Sequence, residues 1–151
     1  MLRSLFLLSL APVLLLSMTT NVTAHCQVPC GIYDDHARVH SMLEDVTTIE
    51  KAVAQIAGLS GKHDAQSQNQ LVRWIQTKEA HASNIITVTA EYFLTQKIKV
   101  TADTDKAYVS QLITCHRLMR AAMKAKQTVD PKVVGELRKA VQALGHLYPK
   151  Q

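Results

Sequence analysis

Glycine and proline are scarce in this chain, five and four among 151 residues. Most of them fall between apolar stretches, and strand signals are nearly absent, which excludes a fold built on many short strands and turns. Aromatic residues make up 5% of the chain. A nucleic-acid surface wants a basic face interleaved with aromatics or a recognisable motif. Here the basic residues are scattered, with one modest cluster at Arg117, Arg120, Lys124 and Lys126, so nucleic acid is not an expected partner. Three cysteines are an odd number and cannot form a complete internal disulfide framework. There is no internal repeat and no low-complexity linker. No apolar run reaches the ~20 residues that span a bilayer.

The longest apolar run lies at the start, in MLRSLFLLSLAPVLLLSMTTNVTA, residues 1–24. Arg3 supplies a positive charge, Leu5 to Leu16 an apolar stretch, and Val22-Thr23-Ala24 a small-residue end. That is the plan of a secretory leader, with cleavage expected after Ala24. The mature chain would then run from His25 to Gln151, one domain of 127 residues, large enough for a real core. It carries 16 Lys and Arg against 12 Asp and Glu, a mild positive balance that helps draw in a small anion. Export to a periplasmic, lumenal or extracellular compartment is the expectation, with no membrane association once the leader is gone. A leader processed in the cytoplasm is the alternative.

Four amphipathic segments follow Tyr33. Asp34-Asp35 offers an N-cap for the first, whose apolar stripe is Val39, Met42, Leu43, Val46, Ile49, Val53 and Ile56. Gly58 to Gly61 ends it. The second is expected to run unbroken from about Asp64 to Ile98, with Leu71, Val72, Ile75, Ala82, Ile85, Ile86, Tyr92 and Phe93 on its face. Thr87-Val88-Thr89 is a β-branched run that weakens it. The third opens near Asp103 to Asp105 and carries Tyr108, Val109, Leu112, Leu118, Met119 and Met123. The fourth opens with Asp130-Pro131, an N-cap followed by proline at the first helical position. Val134, Leu137, Val141, Leu144 and Leu147 make its stripe, and Gly135 and Gly145 fall inside it. Four such helices on short loops predict an all-α antiparallel four-helix bundle over residues 34–151.

Residues 25–33, His-Cys-Gln-Val-Pro-Cys-Gly-Ile-Tyr, are left as an N-terminal hook. Cleavage after Ala24 would place a free amine on His25 beside Cys26. That amine, the His25 imidazole, the Cys26 amide nitrogen and the Cys26 thiolate can reach one metal ion. Cys30 adds a second thiolate if the chain turns at Pro29-Cys30-Gly31. Two nitrogens and two sulfurs in a plane suit Ni(II) or Cu(II) better than zinc, which favours a tetrahedron. Thiolate and amide donors favour a higher oxidation state and hence one-electron cycling. Other readings stay open on these residues: a Cys26–Cys30 disulfide in a secreted helical interaction module, a copper carrier, or a thiol–disulfide oxidoreductase. The last would want Cys-x-x-Cys at a helix start in a βαβ setting, whereas the spacing is Cys-x-x-x-Cys among helices.

The same nine residues closely resemble the nickel hook of the nickel-containing superoxide dismutase family, His-Cys-x-x-Pro-Cys-Gly-x-Tyr at the mature N-terminus. Glu91-Tyr92-Phe93 is similar to a feature of that family's second helix. The resemblance implies a four-helix subunit, a homo-hexamer, and one nickel ion per subunit cycling between Ni(II) and Ni(III) as superoxide becomes dioxygen and hydrogen peroxide. It implies that His25, Cys26 and Cys30 are the metal ligands and that a cis bond precedes Pro29. It also implies that Tyr33 screens the open side of the metal and orders a water or the anion there.

The sequence departs from the family pattern in places. Gln27 stands where some members carry an acidic residue. His40 falls near the position of the carboxylate that steadies the axial imidazole in the family, with Glu44 and either Arg73 or Lys78 as other candidates for that support. His36, His40, His63, His81, His116 and His146 read as solvated or packing histidines, Cys115 as a small buried hydrophobe, and Tyr92, Tyr108 and Trp74 as packing residues. N-terminal sequencing of protein from its native source is expected to begin at His25; a start upstream would remove the terminal amine on which the donor set depends.

Overall fold

The computed structural model describes residues 34–149, a range that takes in most of the expected bundle and leaves the leader and the hook outside it. The described residues form four α-helices and no strand. They are α1 (Asp35–Leu59), α2 (Ala65–Thr87), α3 (Lys106–Lys126) and α4 (Pro131–Leu147), with a π-helical segment, Val88–Lys97, continuing α2. Each α-helix packs along the next and α4 returns to α1, so the four stand at the corners of a square with antiparallel neighbours. No described helix is long and apolar enough to cross a membrane.

Each α-helix starts where a carboxylate can accept from the free amides of its first turn. Asp34 accepts from the His36 amide at 2.8 Å, Asp64 from Ser67 at 2.9 Å, Asp105 from Ala107 at 2.9 Å and Asp130 from Lys132 at 2.9 Å. Pro131 occupies the first turn of α4, where its missing N–H costs nothing. Gly61, with φ of 84°, turns the chain between α1 and α2 in a conformation that other residues avoid.

The α1 stripe is buried as its spacing predicts: Val39, Met42, Val46, Ile49, Val53 and Ile56, with Leu43 packed at the margin. The α4 stripe is buried at Val134, Leu137, Val141 and Leu144, while Leu147 is 36% exposed. The predicted face of α2 is corrected. Val72 and Ile75 are 52% and 41% exposed, and the inward positions go to Lys78, Ala82 and Ile85. Val109 on α3 is likewise exposed, and Cys115, Leu118, Ala122 and Ala125 face the core. Ala82 and Ile85 of α2 and Leu118 of α3 are buried as expected, so the departure is confined to Val72, Ile75 and Val109.

Lys78 is the largest departure from an apolar interior. Its side chain is 5% exposed, yet its ammonium donates to the Ala125 carbonyl at 3.1 Å and to that of Lys126. These carbonyls end α3, where a helix leaves acceptors unpaired and concentrates negative partial charge. A buried cation is tolerated there because those carbonyls satisfy it. Lys126 completes the corner through Ser83 Oγ at 2.9 Å and Glu79 at 3.5 Å. Across the bundle, Arg138 of α4 grips Glu50 of α1 with two bonds of 2.9 and 2.8 Å and donates to Thr47. The Glu50 hydrogen bond is the chief reason that the guanidinium holds its proton more tightly than usual.

The single long second helix expected from the sequence is also corrected. At Val88 the bonding widens from four residues to five, as Ile98 N donates to Phe93 O at 2.9 Å and Thr95 Oγ1 to Ala90 O at 2.8 Å. Thr89 at the changeover sends its hydroxyl back to the Ile85 carbonyl at 2.7 Å, competing with the regular ladder as threonine hydroxyls do. Such widened turns gather at functional sites.

The two glycines of α4 are not equivalent. A methyl group on Gly135 would meet nothing within 4 Å, whereas on Gly145 it would lie 3.1 Å from Val39 Cγ1 in the α1–α4 seam. Gly135→Ala is therefore expected to raise stability by about 0.5–1 kcal/mol, the helical cost of glycine. Gly145→Ala is expected to fall short of that gain, and Leu137→Ala to lose about 2–5 kcal/mol. Urea unfolding of the three variants checks the order.

Candidate functional site

The ligands and the tyrosine singled out in the sequence, His25, Cys26, Cys30 and Tyr33, lie outside the described residues, as does the bond before Pro29. Tyr33 directly precedes Asp34. The site can therefore be built from the end of the bundle that the hook joins, where the start of α1, the π-helical segment and the end of α4 come together.

Asp35, in the first turn of α1, is the hub of that end. Its Oδ1 accepts the Tyr92 hydroxyl at 2.5 Å, and its Oδ2 lies 3.0 Å from the Lys97 ammonium. A carboxylate in the first turn also suits the positive end of the helix dipole. The guanidinium of Arg38, one turn on, lies 5.6 Å from the centre of the Tyr92 ring, within range for cation–π attraction. Tyr92 and Lys97 both belong to the π-helical segment, so the departure from regular α-helix carries the residues that reach α1.

Behind the hub runs an aromatic stack. Tyr92 meets Phe93 edge to face at 5.1 Å, and Phe93 meets Tyr148 at 4.9 Å, spacings in the favourable range for ring pairs. Burial, reinforced by the hydrogen bond and charge of Asp35, pushes the Tyr92 phenol well above its ordinary value. Burial pushes Tyr148 up to about 12, with Cys115 and Asp35 adding to it. The Tyr148 hydroxyl is buried with no hydrogen-bond partner among the described residues. Cys115 is fully buried, and burial pushes its thiol up to about 11. It stays protonated at neutral pH, in line with its reading as a small buried hydrophobe.

The candidates for support of the His25 imidazole separate. His40 and Glu44 lie one turn apart on α1, with Nε2 3.6 Å from Oε1, both largely exposed. Lys78 is committed to the end of α3 and Arg73 is exposed, so neither backs Glu44. His81 is more than a solvated histidine. Its Nδ1 lies 2.6 Å from Oδ1 of the buried Asp45, and Asn84 donates to Oδ2 of the same carboxylate at 2.8 Å. Sequence reasoning missed the roles of Asp45 and Asp35 because their partners lie 36 to 62 positions away. Among the described residues no group of three or more His, Cys, Asp and Glu could hold a metal ion.

Replacing Asp35 by asparagine removes a negative charge and an acceptor from Tyr92. The Tyr92 phenol is then expected to ionise at lower pH than in the unaltered chain, though still above 10 because the ring stays buried; phenolate absorbance against pH measures it. Both phenols hold their protons more tightly folded than unfolded, where the ordinary value is 10.0. Their contribution to stability is full below pH 10 and is lost as the pH rises through the folded values. A melting temperature that falls steadily above pH 10, and less steeply in Tyr148→Phe, is the expected result.

Comparison with known proteins completes the picture of this end of the molecule. The family model for nickel-containing superoxide dismutase matches residues 20–151, a span that includes the whole of His25 to Tyr33 and the bundle behind it. No curated protein and no solved structure matches the chain. A match over so much of the chain places it plainly: it belongs to the nickel-containing superoxide dismutase family, and is an oxidoreductase with a nickel cofactor.

Proposed function

We propose that residues 25–33 are the nickel site and that the chain disproportionates superoxide to dioxygen and hydrogen peroxide. The observation that carries this is the family match running through the hook motif itself. The chemistry of the donor set fits the metal. Two cysteine sulfurs, a terminal amine and an amide nitrogen are the soft and anionic donors that suit nickel among the divalent ions. The described residues supply no competing cluster. His25 would hold the ion through its amine and imidazole, Cys26 through its amide nitrogen and sulfur, and Cys30 through its sulfur. When bound, nickel supplies one-electron chemistry by alternating between Ni(II) and Ni(III), one ion per chain.

The rest of the work falls to the protein. Asp35, held by Tyr92 and Lys97, fixes the first turn of α1, and with it the point from which the hook departs. Arg38 and Lys97 bring positive charge to the same end, which favours the approach of a small anion. Tyr33 would screen the open side of the metal and order the anion or a water. Superoxide is then the substrate and a homo-hexamer the assembly. The mature form works after leader cleavage in an exported compartment or, alternatively, in the cytoplasm.

The test uses the full mature chain beginning at His25. Nickel content near one per chain and superoxide consumption are expected together. Cys26→Ser, Cys30→Ser and a form extended by one residue before His25 are each expected to lose both while keeping the helical circular dichroism of the unaltered chain. Full activity in the extended form, or copper in place of nickel after native purification, would overturn the proposal.

A further inference from the structure

We propose that Tyr92 is a redox-active tyrosine, a one-electron sink whose phenolic proton passes to Asp35 when the ring is oxidised. A neutral phenol gives up an electron readily only when its proton can leave as well, because a buried cation radical is costly. Tyr92 has the acceptor in place, Asp35 Oδ1 at 2.5 Å. Lys97, at 3.0 Å from the other oxygen, holds the carboxylate in that orientation. The Arg38 guanidinium 5.6 Å from the ring centre disfavours further positive charge on the ring, which ties loss of the electron to loss of the proton. The ring is 5% exposed, so a radical formed there is shielded from coupling with another chain.

The other described tyrosines lack this arrangement. Tyr148 sits behind Phe93 with its hydroxyl buried and unpaired among the described residues, so none of them offers its proton an acceptor. Tyr108 is partly buried near the start of α3 and has no carboxylate on its hydroxyl among the described residues. The aromatic stack thus begins with a ring that can be oxidised and continues with rings that resist it, which confines an oxidising equivalent to the hook end.

The physiological partners rest on the function proposed above, whose product is peroxide. Peroxide that takes one electron from a reduced transition-metal ion gives hydroxide and a hydroxyl radical. The hydroxyl radical takes one electron from Tyr92 and becomes hydroxide, while the phenolic proton crosses to Asp35 Oδ1. Superoxide then returns one electron to the phenoxyl and leaves as dioxygen, and the proton moves back from Asp35. The ring ends as it began and the core behind it is spared.

Flash photolysis of the full mature chain with tris(bipyridine)ruthenium and persulfate supplies a one-electron oxidant without peroxide or turnover. Failure here is therefore distinguishable from failure of the dismutase reading. Freeze-trapped electron paramagnetic resonance is expected to show a tyrosyl radical, and spin trapping with peptide mass mapping to place it on Tyr92. The signal is expected to collapse in Tyr92→Phe, to persist in Tyr148→Phe, to fall several-fold in Asp35→Asn and to recover in Asp35→Glu. Radical formation in the unaltered chain should slow in deuterium oxide, a readout that needs no variant to fold. An undiminished signal in Tyr92→Phe, an adduct on Tyr33, Tyr108 or Tyr148, or formation indifferent to both Asp35→Asn and deuterium would overturn the proposal.

Discussion

The carboxylate of Asp35 ties the first turn of α1 to the far end of the second helical arm, and the proposed site joins the bundle beside that tie. The hook joins the bundle at Asp34. A chain leaving a helix from a frayed first turn has no fixed direction, whereas one leaving a turn held by Tyr92 and Lys97 does. Asp34 adds to this by accepting from the His36 amide, so one of the free donors of that turn is paired. The widened bonding from Val88 to Lys97 belongs to the same arrangement. It carries Tyr92 and Lys97 to Asp35 while Phe93, between them in sequence, remains fully buried.

Much of this was legible in the sequence, and the limits have physical causes. The caps at Asp34 and Asp130, and the starts near Asp64 and Asp105, were readable because capping is local chemistry, settled within three residues. The stripes of α1 and α4 were readable because their inward residues are large and apolar. The first half of the α2 face was not, because a buried lysine, Lys78, takes an inward position while Val72 and Ile75 face out; its second half, Ala82 and Ile85, was. A π-helical segment has no pattern of its own that a helical period would detect; the run Thr87-Val88-Thr89 signalled weakness there but not its form. The family was readable from the identity and spacing of residues 25–33, since the family model spans them. The hub behind them was not, since nothing local marks Asp35 and Tyr92 as partners.

Fold and chemistry are separable in this chain. Among the described residues the four stripes close on one another in a core that uses no His, Asp or Glu as an inward contact except Asp45, which is satisfied by His81 and Asn84. Lys78 is satisfied by backbone carbonyls. The two buried charged groups among the described residues, Asp45 and Lys78, are thus paired within the bundle, and their desolvation is offset without a metal ion. This differs from small domains in which the ion supplies the folding energy, and it is why changes to the hook can be read as chemistry rather than as unfolding.

The third cysteine shows the same separation. Thiols proposed as metal ligands must be kept from exchange with any other reactive thiol, and an odd cysteine in the same chain is a potential hazard. Exchange needs a thiolate and access. Cys115 has neither: its side chain is fully buried against the α3 face of the core, and its thiol is pushed up to about 11 by that burial. At neutral pH it is protonated and enclosed by Phe93, Tyr148 and the apolar residues around them. The odd count that rules out a complete disulfide framework is therefore harmless to the hook, and the pair Cys26 and Cys30 is left to its own chemistry.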